Sequence, residues 1–340
     1  MEYLYDYLAF LAKAVTVTAA VLAIIAAIVS AGSRRTRRDG GHLELRKLND
    51  VLRDMQRSVS QTFLPPAQQK KALRKDKKQD KKEDAAREPR RRVFVIDFHG
   101  DVQASAVEQL RHEVTAVLSD ANSDDEVVVK IDSGGGMVHS YGLAASQLAR
   151  VKEHGVKLTA SIDKVAASGG YLMASVADRV LAAPFAIVGS IGVIAQIPNV
   201  HRLLKKHDVD VEVLTAGEYK RTLTVFGENT DAGRAKLEEE LNDVHALFQE
   251  FVAENRPQVA LPEVATGESW YGTRAIERKL VDELITSDAY LCTACEEADV
   301  FEVRWVEDKK PIERLLSHLT RAWKSSPLGE LMEHWTGGPR

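Results

Sequence analysis

The stretch Val127–Met137, with the sequence VVVKIDSGGGM, decides the fold class of this chain. Four of its first five residues are β-branched and apolar, which is typical of a strand buried inside a sheet. Three glycines follow after Asp132 and Ser133, and such a run predicts a loop with unusual backbone freedom. The stretch therefore predicts a strand that delivers a glycine loop to the carboxyl edge of a sheet.

Strand and helix patterns alternate on both sides of this stretch. Further strands are predicted at residues 93–98, 158–162, 180–183 and 209–214. Residues 231–254 repeat apolar side chains every three or four positions, which predicts a long amphipathic helix that packs on the core or contacts another subunit. This alternation indicates βαβ units, a mainly parallel sheet and an α/β fold class.

The glycine loop is also a candidate part of a catalytic site. Gly135 and Gly136 would let a backbone N–H approach a ligand closely, so either is a candidate oxyanion donor. An ordinary strand-to-helix turn has the same composition. A dinucleotide-binding loop is disfavoured because, counting from Gly134, His139 stands where the third glycine of that motif should lie.

A second turn supplies a candidate nucleophile. Ser168 lies in the segment VAASGGY, residues 165–171, whose small side chains permit a sharp strand-to-helix turn that exposes the hydroxyl. The backbone N–H of Ser168 would then be a further oxyanion donor. A simple helix cap explains the same residues.

Lys220 is the better candidate for the base that would activate this serine. The chain has no histidine between His154 and His201, which leaves His139 as the fallback. A lysine with the usual pKa of about 10.4 is protonated and cannot accept a proton. Burial among the apolar residues at positions 223–226 would lower that pKa, whereas a solvated basic pair with the next arginine is the alternative.

Longer motifs surround these residues. They are DKVAASGGY at 163–171, APFAIVGSIGV at 183–193, TAGEYKRTLT at 215–224 and ATGESWYG at 265–272. Across about residues 92–288 the chain resembles the SppA (signal peptide peptidase A) family of membrane serine peptidases. The resemblance implies an α/β fold of the crotonase-like and Clp-protease-like β-superhelix type with helices, preceded by one transmembrane helix.

The same resemblance implies roles for particular residues. Ser168 would be the nucleophile and Lys220 the general base of a Ser-Lys dyad, while Ser190 would either support Lys220 or form a tight structural turn. The family's Ser-Pro-Gly-Gly loop reads SGGG at residues 133–136, so alignment on the loop favours Gly136, whereas counting back from Ser168 favours Gly135. Relatives assemble as homo-oligomeric rings, in which the lysine can reach the serine of a neighbouring subunit.

These residues predict a membrane-anchored serine endopeptidase that hydrolyses peptide bonds without a cofactor or metal. Its substrates would be peptides or proteins, such as signal peptides or misfolded envelope proteins. Two alternatives remain: a crotonase-type acyl-CoA enzyme, which needs no Ser-Lys pair, and a catalytically silent membrane scaffold.

The N-terminus predicts attachment to a lipid bilayer through residues 8–31. Residues 14–31 carry no charge, and this length can span a bacterial inner membrane. The arginines at positions 34–38 place the following domain in the cytoplasm by the positive-inside rule, with a periplasmic domain as the alternative.

Four regions are predicted: an anchor at 1–39, a helical and highly charged linker at 40–91, a peptidase domain at 92–300 and a tail at 301–340. Within the linker, apolar residues from Leu45 to Val59 recur at helical spacing.

Composition adds few constraints. The chain has 340 residues, of which 44% are hydrophobic, so it can bury a sizeable core. Its net charge of −4 gives no indication of nucleic-acid binding. Cys292 and Cys295 form a lone C-x-x-C pair, for which a structural role is favoured over a redox or zinc site.

Overall fold

The computed structural model describes residues 40–63, 65, 90–217 and 219–307, together with residues 11, 13, 15 and 16. The chain divides into a compact unit of residues 43–305 and a second unit made of residues 1–42 and 306–340. Several predicted features lie outside the described residues. They are most of the predicted anchor, the arginines at 34–38, most of the charged linker and the tail after residue 307. No described helix combines the length and the apolar character that crossing a bilayer requires.

The described chain alternates strands with helices. The strands are β1 Gly41–Lys47, β2 Arg92–Gly100, β3 Glu126–Ser133, β4 Lys157–Ile162, β5 Val165–Ala167, β6 Arg179–Ala182, β7 Ile187–Gly189, β8 Ser269–Tyr271, β9 Glu283–Leu284 and β10 Asp299–Glu307. The helices are α1 Leu48–Thr62, α2 Val107–Leu118, α3 Val138–Glu153, α4 Gly169–Ser175, α5 His201–Lys206, α6 Asp231–Asn255, α7 Leu261–Val264, α8 Gly272–Ala275 and α9 Ser287–Glu297.

A single ten-stranded sheet organises these elements. Its main path runs β1-β10-β2-β3-β4-β6-β9, while β5, β7 and β8 branch from β3. The pairs from β10 to β6 along this path are parallel, and β7 with β8 is antiparallel. The predicted α/β class with a mainly parallel sheet is thereby confirmed. Because parallel strands end at a common edge, the loops after β3 and β5 come together there.

The run Val127–Val129 is buried on both faces of the sheet. Val127 and Val129 belong to the main core, which β2, β3 and β4 form with α2, α3 and α4. Val128 faces the opposite side, where it joins a smaller cluster with residues of α9. Burial on both faces explains why β3 reads as a continuous apolar run rather than as an alternating one.

The predicted strand at residues 209–214 is wrong. This segment has no regular structure, and Val209, Val211, Val213 and Leu214 are all exposed. Its alternation of valine with acidic residues imitates a half-buried strand, but none of the described strands pairs with it. Period-two alternation alone does not supply the backbone partner that a strand needs.

The apolar repeat from residue 45 to residue 59 divides between two elements. Leu45 lies in strand β1, and the helix begins only at Leu48. Asn49 donates to the carbonyls of Cys295 and Ala298, both at 2.9 Å, and accepts from the N–H of Val300 at 2.8 Å. The start of the predicted linker region is therefore built onto the sheet.

The long helix predicted at residues 231–254 is confirmed as α6, and Thr230 caps it by accepting from the N–H of Gly233. Its role in the core is narrower than predicted. Val252 is its only buried residue, and Phe248 and Phe251 pack half-buried against the main core. Only the carboxyl-terminal end of α6 therefore contributes to the core.

A buried arginine fastens this end of α6 to the sheet. The Arg256 side chain is 1% exposed and donates to both carboxylate oxygens of Asp282 at 2.6 and 2.9 Å. Asp282 in turn accepts from the backbone N–H of Val180 in β6 at 2.7 Å. This ion pair holds the end of α6 beside the strands.

Candidate active site

The glycine loop after β3 lies directly against the turn that carries Ser168. Gly135 has a φ of +86°, and a Cβ atom there would lie 2.8 Å from the Cβ of Ser168 and 2.7 Å from the N of Gly169. At Gly136 a Cβ would lie 2.1 Å from the carbonyl oxygen of Val102. Both positions therefore require glycine, because a side chain at Gly135 would press on the serine turn and one at Gly136 would press on the backbone of Val102.

A buried hydroxyl pair holds the start of this loop. The Oγ of Ser133 lies 2.5 Å from the hydroxyl of Tyr141, which donates to the carbonyl of Asp101 at 2.7 Å. Ser133 therefore donates to Tyr141 and can accept from the N–H of Gly135, which lies 3.1 Å away. Burial raises the pKa of the Tyr141 phenol, so the pair stays uncharged.

Ser168 occupies a strained turn between β5 and α4. Its φ of +51° and ψ of −118° are unusual for a non-glycine residue, and its side chain is half-buried. The sharp strand-to-helix turn that the sequence predicts is therefore present. Such strain persists only where the surroundings enforce it, and it is concentrated at functional sites.

The backbone N–H of Ser168, which the sequence predicts to be an oxyanion donor, already has a partner within the chain. It donates to the carbonyl of Gly189 in β7 at 2.8 Å, so in this conformation it is already committed and does not face a substrate. The Gly135 N–H is likewise engaged with Ser133. For Gly136, by contrast, the described residues provide no partner to the N–H.

Small residues after Ser168 permit close packing. A Cβ on Gly169 would lie 2.3 Å from the Tyr141 ring, and one on Gly170 would lie 2.6 Å from the carbonyl oxygen of Ser133. The two glycines thus let helix α4 start directly beneath the loop after β3. The sequence singled out this segment because its side chains are small. The structure gives the reason, since the two turns touch and leave no room for larger side chains.

Ser190 is held in a second strained turn beside the first. Its φ is +53°, and its N–H donates to the carbonyl of Glu268 at 2.6 Å. The preceding residue, Gly189, has a φ of +98° and lies against the ring of Trp270. Ser190 therefore has a defined position on the same side of the sheet edge as Ser168.

A cavity of about 660 Å³ joins these features. It is lined by Gly134, Gly135, Gly136, Ser168, Ser190, Gly192, Val193, Ile194, Leu241, Asn242, His245, Ala265, Thr266 and Gly267. The candidate nucleophile, the candidate oxyanion glycines and Ser190 thus share one cavity. Its size suits several residues of an extended peptide.

Lys220 and His139 are not among the residues that line this cavity. Lys220 is exposed, in a segment without regular structure, and its backbone N–H donates to the carbonyl of Gly217 at 3.2 Å. The nearby apolar residues do not bury it, since Phe226 is itself 55% exposed. His139 is exposed on α3. Neither candidate base therefore lines the cavity that contains Ser168 in the described chain.

Sequence reasoning missed the contribution of α6 to the cavity. Leu241, Asn242 and His245 occupy one face of that helix at spacings of one and four residues. The spacing of Leu241 and His245 was a usable signal, but no local pattern indicates that this face is opposite the glycine loop.

The two cysteines of α9 are free thiols. Burial, followed by the nearby Cys292 and Asp299, raises the pKa of Cys295 to about 11. A thiolate is therefore disfavoured there, and no cluster of metal-binding side chains was found within the described part of the chain.

Two family models match consecutive parts of the chain. The model of the N-terminal part of peptidase family S49 matches residues 2–148, and the model of peptidase family S49 matches residues 150–300. The "Probable protease SohB" of Haemophilus influenzae is 45% identical over 325 residues, which cover 92% of each chain. The "Probable protease SohB" of Buchnera aphidicola subsp. Schizaphis graminum is 40% identical over 326 residues, covering 94% of this chain and 95% of that protein.

Solved structures are less similar. A mutant of the "1510-N membrane-bound stomatin-specific protease" matches with a TM-score of 0.41 and 12% identity, covering 61% of this chain and 85% of that chain.

Proposed function

The chain belongs to peptidase family S49 and is a serine-type peptidase, and we propose from this premise that it is an endopeptidase whose nucleophile is Ser168. The observation that carries the proposal is the strained turn at Ser168, which lies against the Gly135 loop and opens into the 660 Å³ cavity. A β-superhelix of the crotonase type remains the predicted subclass of the fold.

The proposed reaction is acyl transfer to water. Neutral Lys220 accepts the Ser168 proton while the serine oxygen attacks a peptide carbonyl carbon, and a tetrahedral oxyanion forms. Lys220 then donates that proton to the leaving amine, and a water molecule, activated by Lys220, releases the acyl group from Ser168.

The oxyanion is proposed to bind at the glycine loop. The N–H of Gly136 is the favoured donor, because the N–H of Gly135 lies within hydrogen-bonding distance of the Ser133 hydroxyl. The N–H of Ser168 would become a second donor only if its bond to Gly189 opened. Ser190 lines the same cavity and is proposed to support Lys220 by a hydrogen bond once the two meet.

Lys220 is proposed to act on the Ser168 of a neighbouring subunit. Within one chain it is exposed and away from the cavity lining. The segment that carries it also exposes Leu214 (90%), Tyr219 (57%) and Phe226 (55%), an apolar surface without cover from the described residues. Covering this surface with another copy would desolvate Lys220, as a lysine base requires.

The proposed setting is the bacterial inner membrane. Residues 8–31 would anchor the chain, and signal peptides or misfolded envelope proteins would be within reach of the cavity. A cytoplasmic catalytic domain follows from the arginines at 34–38, and a periplasmic one is the alternative outcome for a topology measurement.

The testing experiment measures casein hydrolysis by the full chain in detergent. Ser168→Ala and Lys220→Ala should each abolish activity, whereas Lys205→Ala, a matched exposed lysine on α5, should retain it. Co-assembled Ser168→Ala and Lys220→Ala chains should regain part of the activity, because some sites then combine an intact serine with an intact lysine.

The outcomes separate the parts of the proposal. No regain in mixed assemblies would place both residues of the dyad in one chain. Labelling of the wild type, but not of Ser168→Ala, by a fluorophosphonate would exclude an acyl-CoA enzyme that lacks a reactive serine. Full activity in both single variants would refute the mechanism and return His139 to consideration as a base.

A further inference from the structure

One face of α6 forms a wall of the cavity around Ser168. Leu241, Asn242 and His245 lie on this face, and the loops with Gly136 and Ser190 complete the cavity. Asn242 is exposed and His245 is half-buried, so both can be reached by a molecule in the cavity.

His245 is the only cavity-lining residue within the described chain whose side chain can carry a charge. The other polar side chains there are hydroxyls and the Asn242 amide, and the hydroxyl of Thr266 already donates to Glu268 at 2.8 Å. Any change in the charge of the cavity lining between mildly acidic and mildly alkaline pH therefore falls on this imidazole, since histidine is the side chain that titrates in that range.

Within the described chain, the Gln249 side chain lies within hydrogen-bonding distance of the His245 ring. Gln249, one turn further along α6, places its amide nitrogen 3.1 Å from Nε2 and 3.4 Å from Nδ1 of the ring. The packed helix α4 contributes only the phenol of Tyr171, which donates to the carbonyl of Leu280. The nearest carboxylates along α6 are those of Asp243, Glu240 and Glu250, all exposed, and Glu238 lies two turns earlier on the same face. Glu268, from the segment that also lines the cavity, accepts from Thr266.

We propose that His245 determines substrate specificity by selecting peptides that place a carboxylate side chain against the α6 wall. A protonated imidazole offers two N–H donors, and hydrogen bonds between ionised partners are about twice as strong as neutral ones. The neighbouring Asn242 amide supplies a further donor on the same wall. The inference rests on the proposed endopeptidase function and identifies its substrates as peptides with Asp or Glu near the scissile bond.

The sign of the pH dependence follows from the two partners. A glutamate side chain with a pKa of about 4.3 remains mainly ionised at pH 5.5, where a histidine is mainly protonated. The attraction is therefore present while the imidazole is protonated and is lost once it is neutral, so it should weaken as pH rises. A glutamine peptide has no such dependence.

The experiment compares fluorogenic peptides that carry Glu or Gln at successive positions flanking the scissile bond. With the full chain in detergent, the ratio of kcat/KM for Glu over Gln should rise roughly tenfold between pH 8 and pH 5.5 at one position. His245→Gln should make this ratio independent of pH. The control, His154→Gln at the exposed end of α3, should behave like the wild type.

Binding to the Ser168→Ala chain separates this inference from the proposed function. Fluorescence anisotropy should show tighter binding of the Glu peptide at pH 5.5, and the preference should vanish in Ser168→Ala/His245→Gln. If Ser168→Ala still cleaves, the proposed nucleophile is wrong, but the binding ratio still tests His245. The inference is overturned by any of three results. They are a ratio of Glu-peptide to Gln-peptide binding that does not change with pH in the Ser168→Ala chain, a change that persists in Ser168→Ala/His245→Gln, and no binding of either peptide.

Discussion

The turn around Ser168 and the segment around Lys220 differ in how many of their groups find partners inside the chain. The Ser168 turn is flanked by β5, which pairs with β3 and β7, and by α4, all of whose residues are buried. In contrast, every described residue from 208 to 221 is exposed. The described chain therefore encloses the turn of the candidate nucleophile with packed elements but leaves the candidate base in an exposed segment.

The packed Ser168 turn and the exposed Lys220 segment differ in how much support the rest of the chain gives them. Two strained serines are tolerated because the sheet over-determines their positions. The proposed lysine base would need burial that the described residues of its own chain do not supply, and the proposed neighbouring subunit would provide it. The predictions below test this contrast between the sheet and the exposed region.

The largest effect is expected from Arg256→Met. Removing this buried guanidinium leaves Asp282 without its partner, which should lower the free energy of unfolding by about 3–5 kcal/mol. Urea unfolding of the full chain measures the change. The matched control is Arg234→Met at the other end of α6, where the ion pair with Asp231 is exposed and should contribute less than about 1 kcal/mol. Equal losses at the two ends would mean that α6 is not fastened at its carboxyl-terminal end.

The next effect is expected from Gly135→Ala. Its new Cβ would press on Ser168 and Gly169, so activity on casein should fall on the order of 100-fold or more. Gly217→Ala, in the Lys220 segment, is the matched variant, because Gly217 also has a positive φ but its nearest neighbour lies 3.9 Å away. Gly217→Ala should lower the thermal stability of the chain less than Gly135→Ala does. A Gly135→Ala chain with normal activity would contradict the close approach of the two turns.

A pH-dependent effect is expected from Glu113, a buried carboxyl of α2. Burial raises its pKa from the ordinary 4.5 to about 7, although its hydrogen bond from the Trp305 N–H opposes the rise. A raised pKa in the folded chain stabilises folding fully below pH 4.5, and this contribution is lost as pH rises through about 7.

Glu113→Gln keeps the acceptor and removes the titration. Relative to the wild type, it should therefore gain roughly 2–3 kcal/mol of unfolding free energy between pH 5 and pH 8. Urea unfolding at the two pH values measures this difference. Glu108→Gln, an exposed carboxylate on the same helix, should change by less than about 0.5 kcal/mol. Identical pH profiles for wild type and Glu113→Gln would contradict the raised pKa.

The smallest effect on folding is expected from Leu214→Asp. Leu214 is 90% exposed, so the free energy of unfolding should change by less than about 0.5 kcal/mol. If the Lys220 segment forms the contact between copies, the mass of the assembly in analytical ultracentrifugation should fall and activity with it. Val59→Asp, an exposed residue of α1, serves as the control. Unchanged mass and activity in Leu214→Asp would remove this segment from the interface.

Four central strands of the sheet and the turn around Ser168 were predictable from the sequence, whereas the other six described strands were not predicted. The runs that became β2, β3, β4 and β6 carry a local signal, since β-branched residues in short runs favour buried strands. The false strand at residues 209–214 shows the limit of that signal. Its residues have the right alternation, but pairing depends on a neighbour that is distant in sequence.

The amino-acid sequence by itself determined the α/β class, the glycine loop and the Ser168 turn, because each depends on backbone preferences of adjacent residues. Only the tertiary structure decided that α6 brings His245 to the cavity of Ser168 and that Lys220 does not line it. Those two results depend on contacts between segments far apart in the chain, such as the Arg256–Asp282 ion pair at the end of α6. Local propensity carries no information about which distant surfaces meet, because their burial is shared between segments and is realised only when the whole sheet has formed.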